Sequence, residues 1–160
     1  MTTQESLLHL LADGKVHSGE ELARSLGLSR AAVWKQMRQL GELELSVNAR
    51  AGKGYQLERP IDFLAGDDIS AALNQRTRDA LLAIDVRWVV DSTNSFLTRQ
   101  PVPPANRFHA CIAEYQSAGR GRRGRQWLAP FGDSICLSLG FGFASSPPSL
   151  ANLGLAVGVG

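Results

Sequence analysis

The first sixty positions alternate apolar and polar residues at helical rather than strand spacing. Leu7, Leu8, Leu10 and Leu11 fall on one side of a helix over Glu5–Asp13, and Asp13-Gly14 ends it. Ser18 opens a second helix. Glu21 follows three positions later, the pattern in which a hydroxyl caps a backbone N–H and a carboxylate reaches back. Leu22, Ala23 and Leu26 face inward, and Gly27 supplies the turn. Ser29 caps a third helix whose Val33, Met37 and Leu40 recur at i, i+4, i+7. Two short strands, Leu43–Asn48 and Tyr55–Glu58, then flank a glycine-rich tip at Ala49–Gly54. Three short helices and a hairpin make a winged helix-turn-helix.

Pro60 breaks this pattern, and residues 61–68 read as a linker. The pattern then predicts a short helix over Ile69–Asn74 and a β-branched strand over Ile84–Val90. A helix over Ser95–Arg99 and a proline-rich loop over Gln100–Arg107 follow. Two more strands lie at Phe108–Tyr115 and Ser134–Phe143, the last with a continuous apolar tendency that implies burial. Leu150–Gly160 starts an apolar helix with no stop signal. Three strands and a half-built helix are a thin layer, so residues 69–160 read as the first part of a truncated domain. The expected division is therefore a winged helix over 1–60, a linker over 61–68 and a partial α/β domain over 69–160.

Composition narrows the class only a little. The 160 residues are 44% hydrophobic and 20% charged, with a net charge of +2. These values exclude disordered and collagen-like chains. No apolar run reaches the roughly 18 residues of a membrane span, and no secretory signal opens the chain. Cys111 and Cys136 show no metal-ligand spacing and read as reduced thiols, which predicts a cytoplasmic protein. The distribution of charge says more. All three lysines, Lys15, Lys35 and Lys53, lie in the first third, and four arginines crowd between Arg120 and Arg125.

Two places carry candidate chemistry. The inward face of the third helix leaves Arg30, Ala31, Trp34, Lys35 and Arg38 outward. Arginine there suits a guanine edge or a phosphate, and Lys35 and Lys53 suit phosphates. A solvated charged face is the plainer alternative. Trp34 fits either packing on the wing or contact with thymine methyls, with packing the simpler of the two. The second place is Gln116-Ser117-Ala118-Gly119-Arg120-Gly121-Arg122-Arg123-Gly124-Arg125-Gln126-Trp127. Its glycines permit close backbone approach to a ligand, and its arginines offer forks for phosphate or carboxylate oxygens. It has no P-loop spacing. Trp127 suits either covering an aromatic ring or anchoring the loop. Ser92-Thr93-Asn94 follows a strand and opens a helix, so an N-cap explains it. A cradle for a neutral hydrogen-bonding ligand explains it too. His109 and Glu114 sit in a strand with no catalytic partner, and no metal cluster is visible.

Asp91-Ser92-Thr93-Asn94, Ala113–Arg125 with Trp127, and Pro130-Phe131-Gly132 together resemble the biotin–protein ligases that also act as biotin operon repressors. Ser18-Gly19-Glu20, Ser29–Val33 and Gly52-Lys53-Gly54-Tyr55 resemble their DNA-binding domain, so the likeness spans most of the chain in the expected order. The resemblance implies an α+β fold, the second domain resembling class II aminoacyl-tRNA synthetases. It implies joining of biotin to ATP with release of pyrophosphate, then transfer of biotin to a lysine of biotin carboxyl carrier protein. Mg2+ is expected with ATP, and no metal site in the chain itself.

By that resemblance Ser92, Thr93, Asn94 and Gln116 line the biotin pocket, and Arg120, Gly121 and Arg122 belong to a loop closing over biotin and the adenylate. Arg122 is the catalytic candidate, and Arg122, Arg123 and Trp127 serve the adenylate side. Ser29, Arg30, Trp34, Lys35, Arg38 and Lys53 are the candidate DNA contacts. The resemblance further implies an adenylate-bound homodimer on operator DNA. The family's active-site lysine segment lies beyond Gly160. Two alternatives remain at this point: a ligand-responsive transcription regulator without ligase activity, and another acyl-adenylating transferase such as a lipoate ligase.

Overall fold

The computed structural model describes residues 2–121, 123, 125, 127 and 129–145. The helix expected from Leu150 lies outside them. Helix α1 (Thr3–Leu11) begins at Thr2, where a reciprocal capping box closes: Glu5 N–H donates to Thr2 Oγ1 (3.2 Å) and Thr2 N–H to Glu5 Oε2 (2.8 Å). At α2 (Gly19–Leu26) only half of the expected box forms. Ser18 Oγ accepts from Glu21 N–H at 3.0 Å, but the Glu21 carboxylate lies 3.9 Å from the His17 ring. Gly27 ends α2 in the left-handed region at φ 64, and Ser29 caps α3 (Arg30–Leu40).

A short 3-10 turn, Gly41–Leu43, leads to strands β1 (Val47–Arg50) and β2 (Gly54–Leu57), which pair antiparallel. The first strand starts later than predicted because Leu43 turns into the core instead of extending. Tyr55 exchanges two backbone hydrogen bonds with His17, both 2.8 Å, which pins the wing to the start of α2. Leu7, Leu8, Leu11, Leu22, Val33, Leu40 and Leu57 are essentially sealed from solvent. Cutting one of these leucines to alanine costs about 2–5 kcal/mol.

The second part contains α4 (Gly66–Ala72), α5 (Gln75–Ala80), β3 (Leu81–Val90), α6 (Thr93–Thr98), β4 (Phe108–Gln116) and β5 (Cys136–Phe141). The three strands form one mixed sheet in the order β3-β4-β5. β3 and β4 run parallel, and β5 runs antiparallel to β4. The chain is thus α+β. Two expectations need correction. Residues 61–68 are not a bare linker: Ile61 N–H bonds Ala12 O at 2.9 Å, Ile61 and Phe63 pack on the N-terminal core, and α4 already begins at Gly66. β5 is not buried on both faces. Cys136 is buried, whereas Leu137, Leu139 and Phe141 are about half exposed, so burial alternates as in a half-covered strand.

One core runs through both parts. Phe131, from the connection between β4 and β5, belongs to the same buried cluster as α1, and Trp88 and Tyr115 pack against it. Arg59 adds an ion pair to Asp133 at 2.7 Å.

Candidate functional site

The first candidate surface lies between α3 and the wing. A groove of about 760 Å3 is lined by Arg30, Ala31 and Trp34 from α3, by Ala49–Tyr55 of the wing, and by Ser18–Glu20. The structure therefore brings Arg30, Trp34 and Lys53 together. Lys35 and Arg38 are exposed on α3 but do not line the groove. Ser29 is committed as a cap, its Oγ accepting from Ala32 N–H at 3.2 Å. Trp34 is not packed away: it is 53% exposed, with the Arg38 guanidinium 5.1 Å from its ring centre. Arg50 also lines the groove. It was not among the residues expected from the sequence, although a cation at the edge of a glycine-rich tip is the same signal that marked Lys53.

The second site is built where β3 and β4 end. The strands pair in parallel through Val90↔Gln116, so the segments that leave them emerge side by side. Ser117 N–H bonds Val90 O and Ala118 N–H bonds Asp91 O, both at 2.9 Å. Ser92, the N-cap of α6, is buried, as is Thr93. Gln116 Oε1 accepts from Thr93 N–H (2.8 Å) and from Thr93 Oγ1 (3.1 Å), and Thr93 Oγ1 meets Ser138 Oγ at 2.8 Å. The cap explanation holds for Ser92, which caps α6, while Thr93 is bonded to Gln116 across the sheet edge.

A cavity of about 180 Å3 opens here, lined by Ser92, Thr93, Asn94 and Gln116 with Arg120, Trp127 and the start of β5. Next to it lies an open cleft of about 460 Å3 lined by Asp91, Ser92, Ser95, Ala118, Gly119, Arg120 and Arg125. Ser92 and Arg120 belong to both. A neutral polar pocket thus adjoins a cationic cleft, with one arginine at their junction, where its guanidinium donates to Ser95 Oγ. Gly119 is tight: a Cβ there would stand 3.1 Å from Trp127 O and 3.3 Å from Gln116 Nε2. The arginine loop closes on itself through Gly121 N–H to Arg125 O (2.7 Å) and Trp127 N–H to Gly119 O (3.1 Å).

Trp127 is 55% exposed and lines the pocket. Arg123 is exposed, sits at φ 59 and lines neither cavity, whereas Arg125 lines the cleft. Arg122 lies outside the described residues. Ser138 was not expected from the sequence, where its signal was a lone hydroxyl in an apolar strand. Nor was the Asp91–Arg99 clamp. Arg99 donates to both Asp91 oxygens (2.9 and 3.0 Å), and this, with Ser92 N–H, holds the Asp91 carboxyl down at about 2. Burial pushes the Cys111 thiol up to about 11 and raises Cys136 as well, so neither is a nucleophile at neutral pH.

Two families of known proteins match separate stretches of the chain. Residues 3–56 match the HTH domain family, and residues 86–153 match the biotin/lipoate A/B protein ligase family. Over 158 residues, 99% of this chain, it is 40% identical to the bifunctional ligase/repressor BirA of Salmonella typhimurium and 39% identical to that of Escherichia coli. It is 30% identical over 141 residues to the BirA of Bacillus subtilis. The matched stretch is 47% of each of the first two relatives and 42% of the third, so the chain spans about half their length.

Proposed function

The chain joins an HTH domain to a biotin/lipoate ligase domain in the manner of the bifunctional ligase/repressors, and from that premise we propose that it is the DNA-binding and first ligand-binding part of a biotin–protein ligase that also represses transcription. In this reading residues 1–60 bind DNA and residues 69–160 begin the ligase domain. The observation that carries the ligase reading is the pairing of the Thr93–Gln116 pocket with the arginine-lined cleft through a shared Arg120.

Ser92, Thr93, Asn94 and Gln116 supply hydroxyls and amides that both donate and accept, which suits the neutral ring of biotin. Arg120, Gly121, Arg122, Arg123 and Trp127 form or border the loop over the reacting carboxylate and the adenylate. The biotin carboxylate oxygen attacks the α-phosphorus of ATP. A C–O–P mixed anhydride forms, and the bond from the α-phosphorus to the bridging oxygen breaks with loss of pyrophosphate. Arginine cations stabilise the negative charge that builds on the α-phosphate, and Arg122 is assigned that role. Closure of the loop keeps water from the anhydride. A lysine amine of biotin carboxyl carrier protein then attacks the acyl carbon, and AMP leaves. Among the described residues no three His, Cys, Asp or Glu side chains gather in a way that would hold a metal ion.

On the DNA side, Arg30, Trp34 and Lys53 face one groove, with Lys35, Arg38 and Arg50 adding cations around it. An adenylate-bound homodimer presents two such grooves to two half-sites of an operator. No helix among the described residues is long and apolar enough to cross a membrane. The test is biotin-dependent adenylate formation from labelled ATP by this chain and by the full-length gene product, side by side. Adenylate from the full-length protein supports the ligase. Adenylate from neither refutes it and leaves a ligand-responsive DNA-binding regulator.

A further inference from the structure

Glu114 has no part in the chemistry above, yet it is a carboxylate only 4% exposed two residues before the end of β4. Its Oε1 accepts the Leu64 N–H at 2.6 Å. Leu64 belongs to the segment joining the winged helix to α4. Beside Glu114 on β3, between the pairs Arg87↔Ala113 and Val89↔Tyr115, stands Trp88. Its ring centre lies 5.2 Å from that of Phe63 and 4.7 Å from that of Phe131, and Phe63 is 4.2 Å from the His9 ring of α1. Residues 63 and 64 thus grip both parallel strands at one level, β3 through Trp88 and β4 through Glu114. Gln116, paired with Val90, follows two positions later and lines the pocket.

A carboxylate is costly to bury, and burial raises the Glu114 carboxyl above its ordinary value despite the Leu64 N–H and nearby His9. An apolar side chain would fill this place at less cost, so what Glu114 adds is a directed bond. The bond ties the connecting segment to one position on β4 and to no other.

We propose that Glu114 is a positioning residue for the biotin pocket: by holding Leu64 it fixes the end of β4, so that Gln116 meets Thr93. The inference rests on the assignment of Gln116 and Thr93 to biotin made above. It concerns a residue that touches neither cavity. It also makes the segment after the winged helix a structural part of the ligand site.

The test uses the full-length protein and two readouts. Hydrogen exchange at the Thr93 amide, which donates to Gln116 Oε1, reports the positioning directly and needs no biotin. Steady-state adenylation reports its consequence. Glu114→Gln keeps an acceptor oxygen and is expected to match wild type in both. Glu114→Leu removes the acceptor and is expected to speed Thr93 exchange about tenfold. It is also expected to raise the biotin KM about tenfold, with kcat and the ATP KM unchanged within about twofold. Unchanged Thr93 exchange in Glu114→Leu overturns the proposal. So does uniform loss of protection across the sheet with kcat and both KM values moving together. If that variant does not fold, Leu64→Pro, which deletes the donor instead, carries the same expectation and the same refutation. A wild-type protein that makes no adenylate refutes the ligase reading alone, and Thr93 exchange still decides the role of Glu114.

Discussion

Thr93→Val tests the pocket by changing one atom. The substitution keeps the size of the side chain and the backbone N–H that donates to Gln116 Oε1, but it removes Oγ1 and with it two hydrogen bonds, to Gln116 at 3.1 Å and Ser138 at 2.8 Å. Each such bond contributes a net of about 0.5–1.5 kcal/mol, so losing both costs about 1–3 kcal/mol. The new methyl group is buried, since Thr93 is 3% exposed, and returns at most about 0.8 kcal/mol. Ser138 also loses the partner of its hydroxyl, which keeps the net loss at about 1–2 kcal/mol. Urea unfolding followed by a probe in the sheet measures this as a lower midpoint at unchanged slope. The double variant Thr93→Val with Ser138→Ala should show a coupling of about 1 kcal/mol, because the two hydroxyls share one bond. Biotin affinity should fall as well, since Gln116 is then held by one bond rather than two. A loss below about 0.5 kcal/mol with no coupling to Ser138 would show that this triad does not hold the pocket together.

Four further outcomes are expected. Arg30→Ala with Lys35→Ala should weaken operator binding and lower the log–log salt slope by about 0.9 for each phosphate no longer neutralised, with adenylate synthesis intact; equal loss of both activities would refute the two-part assignment. Asp91 is held at about 2 by Arg99, below its ordinary 3.8, so its contribution is full above pH 3.8 and is lost as pH falls toward 2. Acid unfolding of Asp91→Asn should therefore lack that part of the wild-type slope. With its thiol at about 11 and fully buried, Cys111 should react with a thiol reagent at pH 7.5 only as fast as the chain opens, which a Cys136→Ser background measures against denaturant. If Arg122 serves the adenylate as proposed, Arg122→Gly should release the adenylate about tenfold faster in a single-turnover chase, through loss of one cation.

The winged helix was legible because its signals are local. Caps at Ser18 and Ser29, the turn at Gly27 and the spacing of Val33, Met37 and Leu40 each act within a few residues, and each stands where the pattern put it. Ser92–Asn94 and Gln116 were singled out as a pocket through family likeness and the arginine run by its spacing as well, and the structure brings Ser92–Asn94, Gln116 and Arg120 to one cavity. What the sequence did not show depends on partners far along the chain. Ser138 meets Thr93 across 45 positions, and Leu64 meets Glu114 across 50. Residues 61–64 read as linker because Pro60 breaks periodicity, but Phe63 stacks between His9 and Trp88, and no local rule encodes that stacking. β5 read as buried because its apolar run is continuous. Its open face is a property of what lies against it, which composition does not record.

The segments of Thr93 and Gln116 lie more than twenty positions apart, and parallel pairing is what brings them together. In an antiparallel pair the ends of β3 and β4 would point to opposite edges, and Ser92 would leave the sheet far from Gln116. In the parallel pair both strands end at one edge, as ligand crevices in open sheets require. The cost of this arrangement is sensitivity to register. Strand residues are spaced about 3.3 Å apart, so a slip of two residues, the smallest that keeps each side chain on its own face, moves Gln116 by about 6.6 Å. That is more than twice the length of its bond to Thr93. Small side chains such as Ala110 and Ala113 offer little bulk to lock the register against such a slip. A directed bond from a fixed outside point resists it well. Leu64 is such a point, since the chain just before it is fastened to the N-terminal core through Ile61 and Phe63. Stability of the winged helix and order in the ligand pocket are therefore linked through four residues of chain, and a substitution in α1 that loosens Phe63 should be felt at Thr93.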